Sequence, residues 1–221
     1  APNSLAHRTT WLRSDLVLAY AVSGSVDEFV SLMNELATGI GATNTHYVNT
    51  TGLDQEGAYS TAHDQLLILS YALENPIFKI VYTTKSYTLS NGLEVQATVN
   101  RYNEVLNLDT SKIIGSKTGN TTNAGLCMSA LFYHEDHEMI LITLGAEVIE
   151  DVPYNLMDTL TLIDYVNMNY EIPVEEVVVV SEPSVVSDVE APSFSVHYEV
   201  VIIVVVLIFL ATLLFCRRVK K

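Results

Sequence analysis

From Val200 to Cys216 the chain carries no charged residue and consists almost entirely of valine, isoleucine, leucine and phenylalanine. The run is about 17 residues long, about 25 Å as a helix, which just spans the hydrocarbon core of a bilayer. Arg217, Arg218, Lys220 and Lys221 follow at once, and Tyr198 stands at the opposite end. Cations that stop the run on one side, with an aromatic ring on the other, predict a transmembrane helix whose tail lies in the cytoplasm and whose preceding domain lies outside. A buried strand and helix of a soluble core is the alternative, and a β-branched, charge-free run ended by four cations suits it poorly. A glycolipid-anchor signal normally lacks the basic end. No export signal is visible and the chain opens on Ala1 rather than Met, so it is expected to be incomplete, and its placement outside the cytoplasm rests on the tail charges.

The remainder has the means to fold. Hydrophobic residues make up 49% of the 221, which excludes a wholly disordered polymer. The formal net charge of −15 repels phosphate backbones and argues against nucleic acid as a partner. Cys127 and Cys216 are too few and too far apart for a disulfide framework or a cysteine-rich metal site.

Residues 171–199 turn to valines, acids and prolines, among them Pro173, Glu175, Glu176, Glu182, Pro183, Asp188, Glu190 and Pro192. Like charges and proline-stiffened spacing predict a stalk holding a domain off the membrane. A short strand at Val177–Val180 belonging to a small second domain is the other reading. The resulting division is an unmatched segment 1–15, a domain over 16–170, the stalk, the helix 200–216 and a basic tail 217–221.

Within 16–170 the periodicity predicts an α/β (α+β) domain, an antiparallel sheet with covering helices. Ser25 and Glu28 form a capping box, and Phe29, Met33, Leu36 and Ile40 then recur at helical spacing until Gly39 and Gly41 intervene. A second helix starts near Ser60 or Thr61 and ends before Pro76. Asn91-Gly92, flanked by Tyr87–Leu89 and Leu93–Val95, predicts a hairpin. Lys112–Lys117, Gly125–Tyr133 and Met139–Leu144 read as three strands, the Glu135–His137 connection being tight enough to make the last two antiparallel. A helix from Tyr154 to Tyr170 puts Leu156, Leu160, Ile163 and Val166 on one face to cover the sheet.

The chemistry concentrates in Ile113-Ile114-Gly115-Ser116-Lys117-Thr118-Gly119-Asn120-Thr121, read as a strand ending in a Lys-Thr-Gly triplet with Gly125 opening the next strand. Further blocks stand upstream: Gly24 to Val30 with Met33-Asn34, Thr45 to Asn49 with Gly52-Leu53-Asp54, and Tyr59 to Ala62 with Asp64. On these residues the chain resembles the low-molecular-mass penicillin-binding proteins, serine-type D-alanyl-D-alanine carboxypeptidases, over about Leu16 to Tyr170. The resemblance implies a sheet of the penicillin-binding-protein and serine β-lactamase type, incomplete at its amino-terminal side. It also implies a bacterial membrane location and a peptidoglycan stem peptide ending in D-Ala-D-Ala as substrate, with β-lactams captured by the intact enzyme.

An ammonium at Lys117 and a hydroxyl at Thr118 suit the terminal carboxylate of a peptide or of a β-lactam. Gly119 lets a ligand backbone lie close, and Thr121 lines the same groove. By resemblance, the Asn120 N–H is one of two oxyanion-hole donors. No metal or organic cofactor is implied.

Two of the family's elements are missing as patterns. None of the chain's serines has lysine three positions on, so the Ser-x-x-Lys nucleophile and its base are absent. Ser-x-Asn is absent too. Ser14-Asp15 is its best remnant, while Tyr47-Val48-Asn49 and Tyr165-Val166-Asn167 fit a Tyr-x-Asn variant by spacing alone. Ala1 to about Ser14 is unlike the family, as in a truncated or frameshifted product. The expectation is a fragment of a carboxypeptidase, inactive alone, with a non-catalytic wall-peptide or partner-binding module as the alternative and a β-lactamase a weaker third. Asp54 and Asp64 read as turn and helix-start residues, and His134 and His137 as flanking a hairpin turn rather than holding a metal.

Overall fold

A computed structural model describes residues 15–149 and 152–173, so the apolar run, the basic tail and nearly all of the acidic stalk lie outside the described residues. Two helices open the fold, α1 (Asp15–Ser23) and α2 (Val26–Gly39), bent 82° apart. Gly24 makes the corner at φ 80°, and Ser25 caps α2 by accepting from the Glu28 N–H at 3.1 Å. Among the described residues no single helix is long and apolar enough to cross a membrane. Phe29 and Met33 of α2 are fully buried against Ala19 of α1, with Tyr47 and Ile68 closing the cluster. Burying each such side chain contributes about 1.5–3 kcal/mol, more than helix propensity supplies, so this apolar face decides where the pair docks. The opposite side of α1 leaves Val17 and Tyr20 exposed.

Helix α3 (Ala62–Leu73) is capped by Thr61, which accepts from the Asp64 N–H, and it ends before Pro76 as the sequence requires. That proline opens a new helix, α4 (Pro76–Thr83), whose cap is Asn75, accepting from Ile77 and Phe78 N–H groups. A small hairpin follows, β1 (Ser86–Thr88) with β2 (Glu94–Gln96). Its turn differs from the two-residue form that Asn-Gly favours. The Gly92 N–H bonds Leu89 O and the Leu89 N–H bonds Leu93 O, and of the Asn91-Gly92 pair only Gly92 has positive φ, so the turn is a type I followed by a left-handed glycine. Helix α5 (Thr98–Leu106) ends on Asn107 in the left-handed region at φ 51°.

The main sheet is antiparallel in the order β3-β4-β5, from β3 (Ile113–Thr121), β4 (Gly125–His134) and β5 (His137–Ala146). β3 does not end at the Lys-Thr-Gly triplet: it continues four residues past Lys117 to Thr121, because the ladder with β4 runs unbroken from Gly115↔Leu131 to Thr121↔Gly125. A two-strand piece, β6 (Val148–Ile149) with β7 (Val152–Pro153), leads into α6 (Tyr154–Asn169). The sheet is covered on both sides. Met128, Ala130 and Phe132 of β4 meet Leu156 and Ile163 of α6, with Leu160 and Val166 packed alongside as the periodicity predicts. Cys127 and Leu131 on the other face meet Leu69 and Ala72 of α3 and Phe78 and Tyr82 of α4.

Gly115 shows how closely α4 lies on β3. A Cβ there would stand 2.7 Å from Tyr82 Cδ1 and 2.9 Å from the Tyr82 carbonyl oxygen, so no other residue fits without moving the helix. The Tyr82 hydroxyl then reaches Ser129 Oγ at 2.9 Å, satisfying two buried polar groups between the layers. Burial pushes the Tyr82 phenol well above its ordinary pKa, against the opposing pull of that hydrogen bond.

Candidate functional site

β3 is an edge strand of the sheet among the described residues, so one of its flanks is open to an extended ligand. Side chains alternate along it: Gly115, Lys117, Gly119 and Thr121 share the face turned to α3 and α4, and Thr118 and Asn120 share the other. Lys117 stands opposite Ser129, Gly119 opposite Cys127 and Asn120 opposite Leu126. Gly119 is buried, Lys117, Thr118 and Thr121 are half-buried, and Asn120 is exposed. The five residues singled out from the sequence are therefore consecutive on one strand and divided between its two faces.

Lys117 is the electrostatic centre. Its Nζ donates to the Thr118 carbonyl oxygen at 2.6 Å, which leaves two of three ammonium protons for another acceptor. Burial lowers its pKa to about 8, against the upward pull of the nearby Asp15 carboxylate. Asp15, the first described residue of α1, is raised from its ordinary value by its own burial, with Lys117 pulling it back. Of the segments considered for the missing Ser-x-Asn element, it is the Ser14-Asp15 remnant whose described residue faces the lysine. The Tyr-x-Asn segments serve elsewhere. Asn49 organises a loop through bonds to Thr51, Gly52, Leu53 and Gln55. Asn167 Oδ1 lies 2.9 Å from His134 Nδ1, whose Nε2 donates to Tyr170 O at 2.8 Å.

The two aspartates have different jobs. Asp64 is buried, accepting from the Asn44 N–H at 2.7 Å and the Thr45 hydroxyl at 2.8 Å, which pins the loop before α3. Asp54 reaches across to the strand that carries Lys117: Oδ1 accepts from the Thr121 hydroxyl at 2.7 Å and Oδ2 from the Asn123 N–H at 3.0 Å. The turn reading for Asp54 misses this contact, whose only sequence signal is a carboxylate in a Gly-rich polar loop. His134 ties the end of β4 to the end of α6, and among the described residues no group of three or more His, Cys, Asp or Glu converges to hold a metal ion.

An edge strand bearing Lys-Thr-Gly, backed by one helix and faced by others, defines an α+β domain of the penicillin-binding-protein type. A family model for D-alanyl-D-alanine carboxypeptidase matches residues 13–148. The chain belongs to that family. It is 32% identical over 133 residues to the D-alanyl-D-alanine carboxypeptidase DacC of Escherichia coli, covering 60% of this chain and 32% of that protein. It is 32% identical over 134 residues to DacF of Bacillus subtilis, covering 60% of this chain and 34% of that one. The crystal structure of a D-alanyl-D-alanine carboxypeptidase from Mycobacterium tuberculosis superposes with a TM-score of 0.55 at 28% identity, over 66% of this chain and 55% of that chain. The chain thus spans about a third of the length of the curated relatives it matches.

Proposed function

We propose that this chain carries the substrate-anchoring part of a serine-type D-alanyl-D-alanine carboxypeptidase site acting on peptidoglycan stem peptides. In that reading Lys117 and Thr118 hold the terminal carboxylate, and Gly119 lets the peptide lie against the open flank of β3. The Asn120 N–H donates to the oxyanion of the tetrahedral intermediate, and Thr121 lines the groove. A serine hydroxyl attacks the carbonyl of the penultimate residue, D-alanine leaves with the proton, and water hydrolyses the acyl-enzyme. The single observation that carries the reading is Lys117, a half-buried cation on an edge strand with donor capacity to spare.

The nucleophile is another matter. With no Ser-x-x-Lys in its 221 residues, the chain by itself is expected to bind and not to acylate. A fluorescent penicillin should leave no stable labelled band on it, and such a band would overturn that statement. The second reading is a non-catalytic module that grips wall peptide or a partner protein. We also propose that Val200–Cys216 anchors the chain in a bacterial membrane, with the domain outside and the basic tail in the cytoplasm.

Titration with a peptide ending in D-Ala-D-Ala, beside the same peptide amidated at its carboxyl end, tests the anchor. The free acid is expected to bind at least about tenfold more tightly, and Lys117→Met to abolish the difference. Equal affinity for the two peptides sinks the proposal.

A further inference from the structure

Residues 46–59 form a loop closed at its base, the His46 N–H bonding Tyr59 O at 2.9 Å and the Tyr59 N–H bonding His46 O at 3.2 Å. It falls within the size of a compact Ω loop. Its entry is held to the helical layer by Asn34 of α2, whose Oδ1 accepts from the Tyr47 N–H at 2.8 Å and whose Nδ2 donates to Tyr47 O at 2.9 Å. Its interior is organised by Asn49. The Asn49 Oδ1 accepts from the Thr51 N–H, the Thr51 hydroxyl and the Gly52 N–H, at 3.1, 3.0 and 2.9 Å, and Nδ2 donates to Gln55 Oε1 at 2.9 Å. Gly52 at φ 70° supplies the left-handed turn that lets the chain double back. At the tip stands Asp54, with each carboxylate oxygen committed to the β3–β4 connection. The Thr121 hydroxyl that donates to Asp54 also accepts from the Ala124 N–H at 3.1 Å, so the carboxylate orders the whole turn.

We infer that Asp54 is a positioning residue: it straps the 46–59 loop to the turn after β3 and thereby fixes the downstream end of the strand on which a terminal carboxylate docks. The inference rests on the anchoring role proposed for Lys117. Thr121 lies on the same face of β3 as Lys117 and Gly119, so the strap is on the lysine's side of the sheet. Neutralising the lysine is not its purpose. Four residues of strand put Lys117 and Thr121 about 13 Å apart, and the carboxylate whose charge bears on Lys117 is that of Asp15. What the strap controls is geometry. The ladder with β4 holds Gly119 and Asn120 as far as Thr121↔Gly125, and a carboxylate with two donors, one of them a backbone N–H, removes the freedom of the turn that follows.

The test uses the full 221-residue chain in detergent micelles, followed by amide hydrogen exchange and by titration with the free-acid and amidated D-Ala-D-Ala peptides. Asp54→Ala should raise exchange at Asn123 and Ala124 by about tenfold or more while leaving α6 unchanged. It should also cut the preference for the free acid by at least about fivefold, a readout that loss of general stability would not move. Asp54→Asn keeps one acceptor oxygen, so it should recover part of both effects, and it replaces the alanine variant if that fails to fold. Unchanged exchange in the turn, or an unchanged free-acid preference when exchange has risen, overturns the inference. Should Lys117→Met bind the free acid as the parent does, the anchoring role fails instead, and the exchange measurement still decides whether Asp54 holds the strand end.

Discussion

Lys117 holds its charge against its surroundings. Burial favours the neutral amine and lowers the pKa to about 8, where an exposed lysine keeps its proton to about 10.5. If the ammonium is what holds a carboxylate, affinity for the free-acid peptide should fall as pH rises through about 8, well before an ordinary lysine would lose its proton. Binding isotherms at pH 7 and pH 9 check this, and equal affinities refute it. Stability moves in the opposite sense. Between about 8 and 10.5 the unfolded chain holds a proton on Lys117 that the folded chain has released, so folding stability rises with pH across that window. Lys117→Met should remove this rise and leave the protein more resistant to urea at pH 7, the compromise expected of a residue that, as proposed, gives up stability to hold a ligand.

Between elements, the tightest constraint is the approach of α4 to β3. Gly115→Ala places a methyl group 2.7 Å from the Tyr82 ring and 2.9 Å from the Tyr82 backbone oxygen, and the backbone has little room to yield. The expected cost is about 1–3 kcal/mol, read from urea unfolding. Tyr82→Phe strands the buried Ser129 hydroxyl and should cost about 1–3 kcal/mol, whereas adding Ser129→Ala should cost less than the sum of the two single changes. The helices that were legible in the sequence are those whose signals are local. Ser25 and Thr61 cap α2 and α3, and the stripe of α6 reads at once. α4 is hidden because Pro76 reads first as a stop, although Asn75-Pro76 is also a cap with proline at the first helical position. α5 has no side-chain cap at its start, and α1 shows exposed apolar residues on its outer face, so neither offers a clean pattern. β3 outran its reading because Gly119 and Asn120 look like turn formers, and only pairing with β4 keeps them extended.

For the molecule as a whole, the family was legible because Lys117 to Thr121 are consecutive and need no tertiary contact to be recognised. What surrounds them was not. Asp54 meets Thr121 from 67 residues away, and the charge of Asp15 acts on Lys117 only once α1 has docked, so no spacing rule predicts either interaction. Cys127, in the middle of β4, stands at 0% exposure against the α3–α4 layer. Its thiol is therefore sealed until the two layers part. In a Cys216→Ser background, maleimide capture should proceed only as often as the domain breathes apart, turning this sulfur into a stopwatch for rare excursions. Gly115→Ala should make it tick at least about fivefold faster, by the equilibrium between shut and gaping forms.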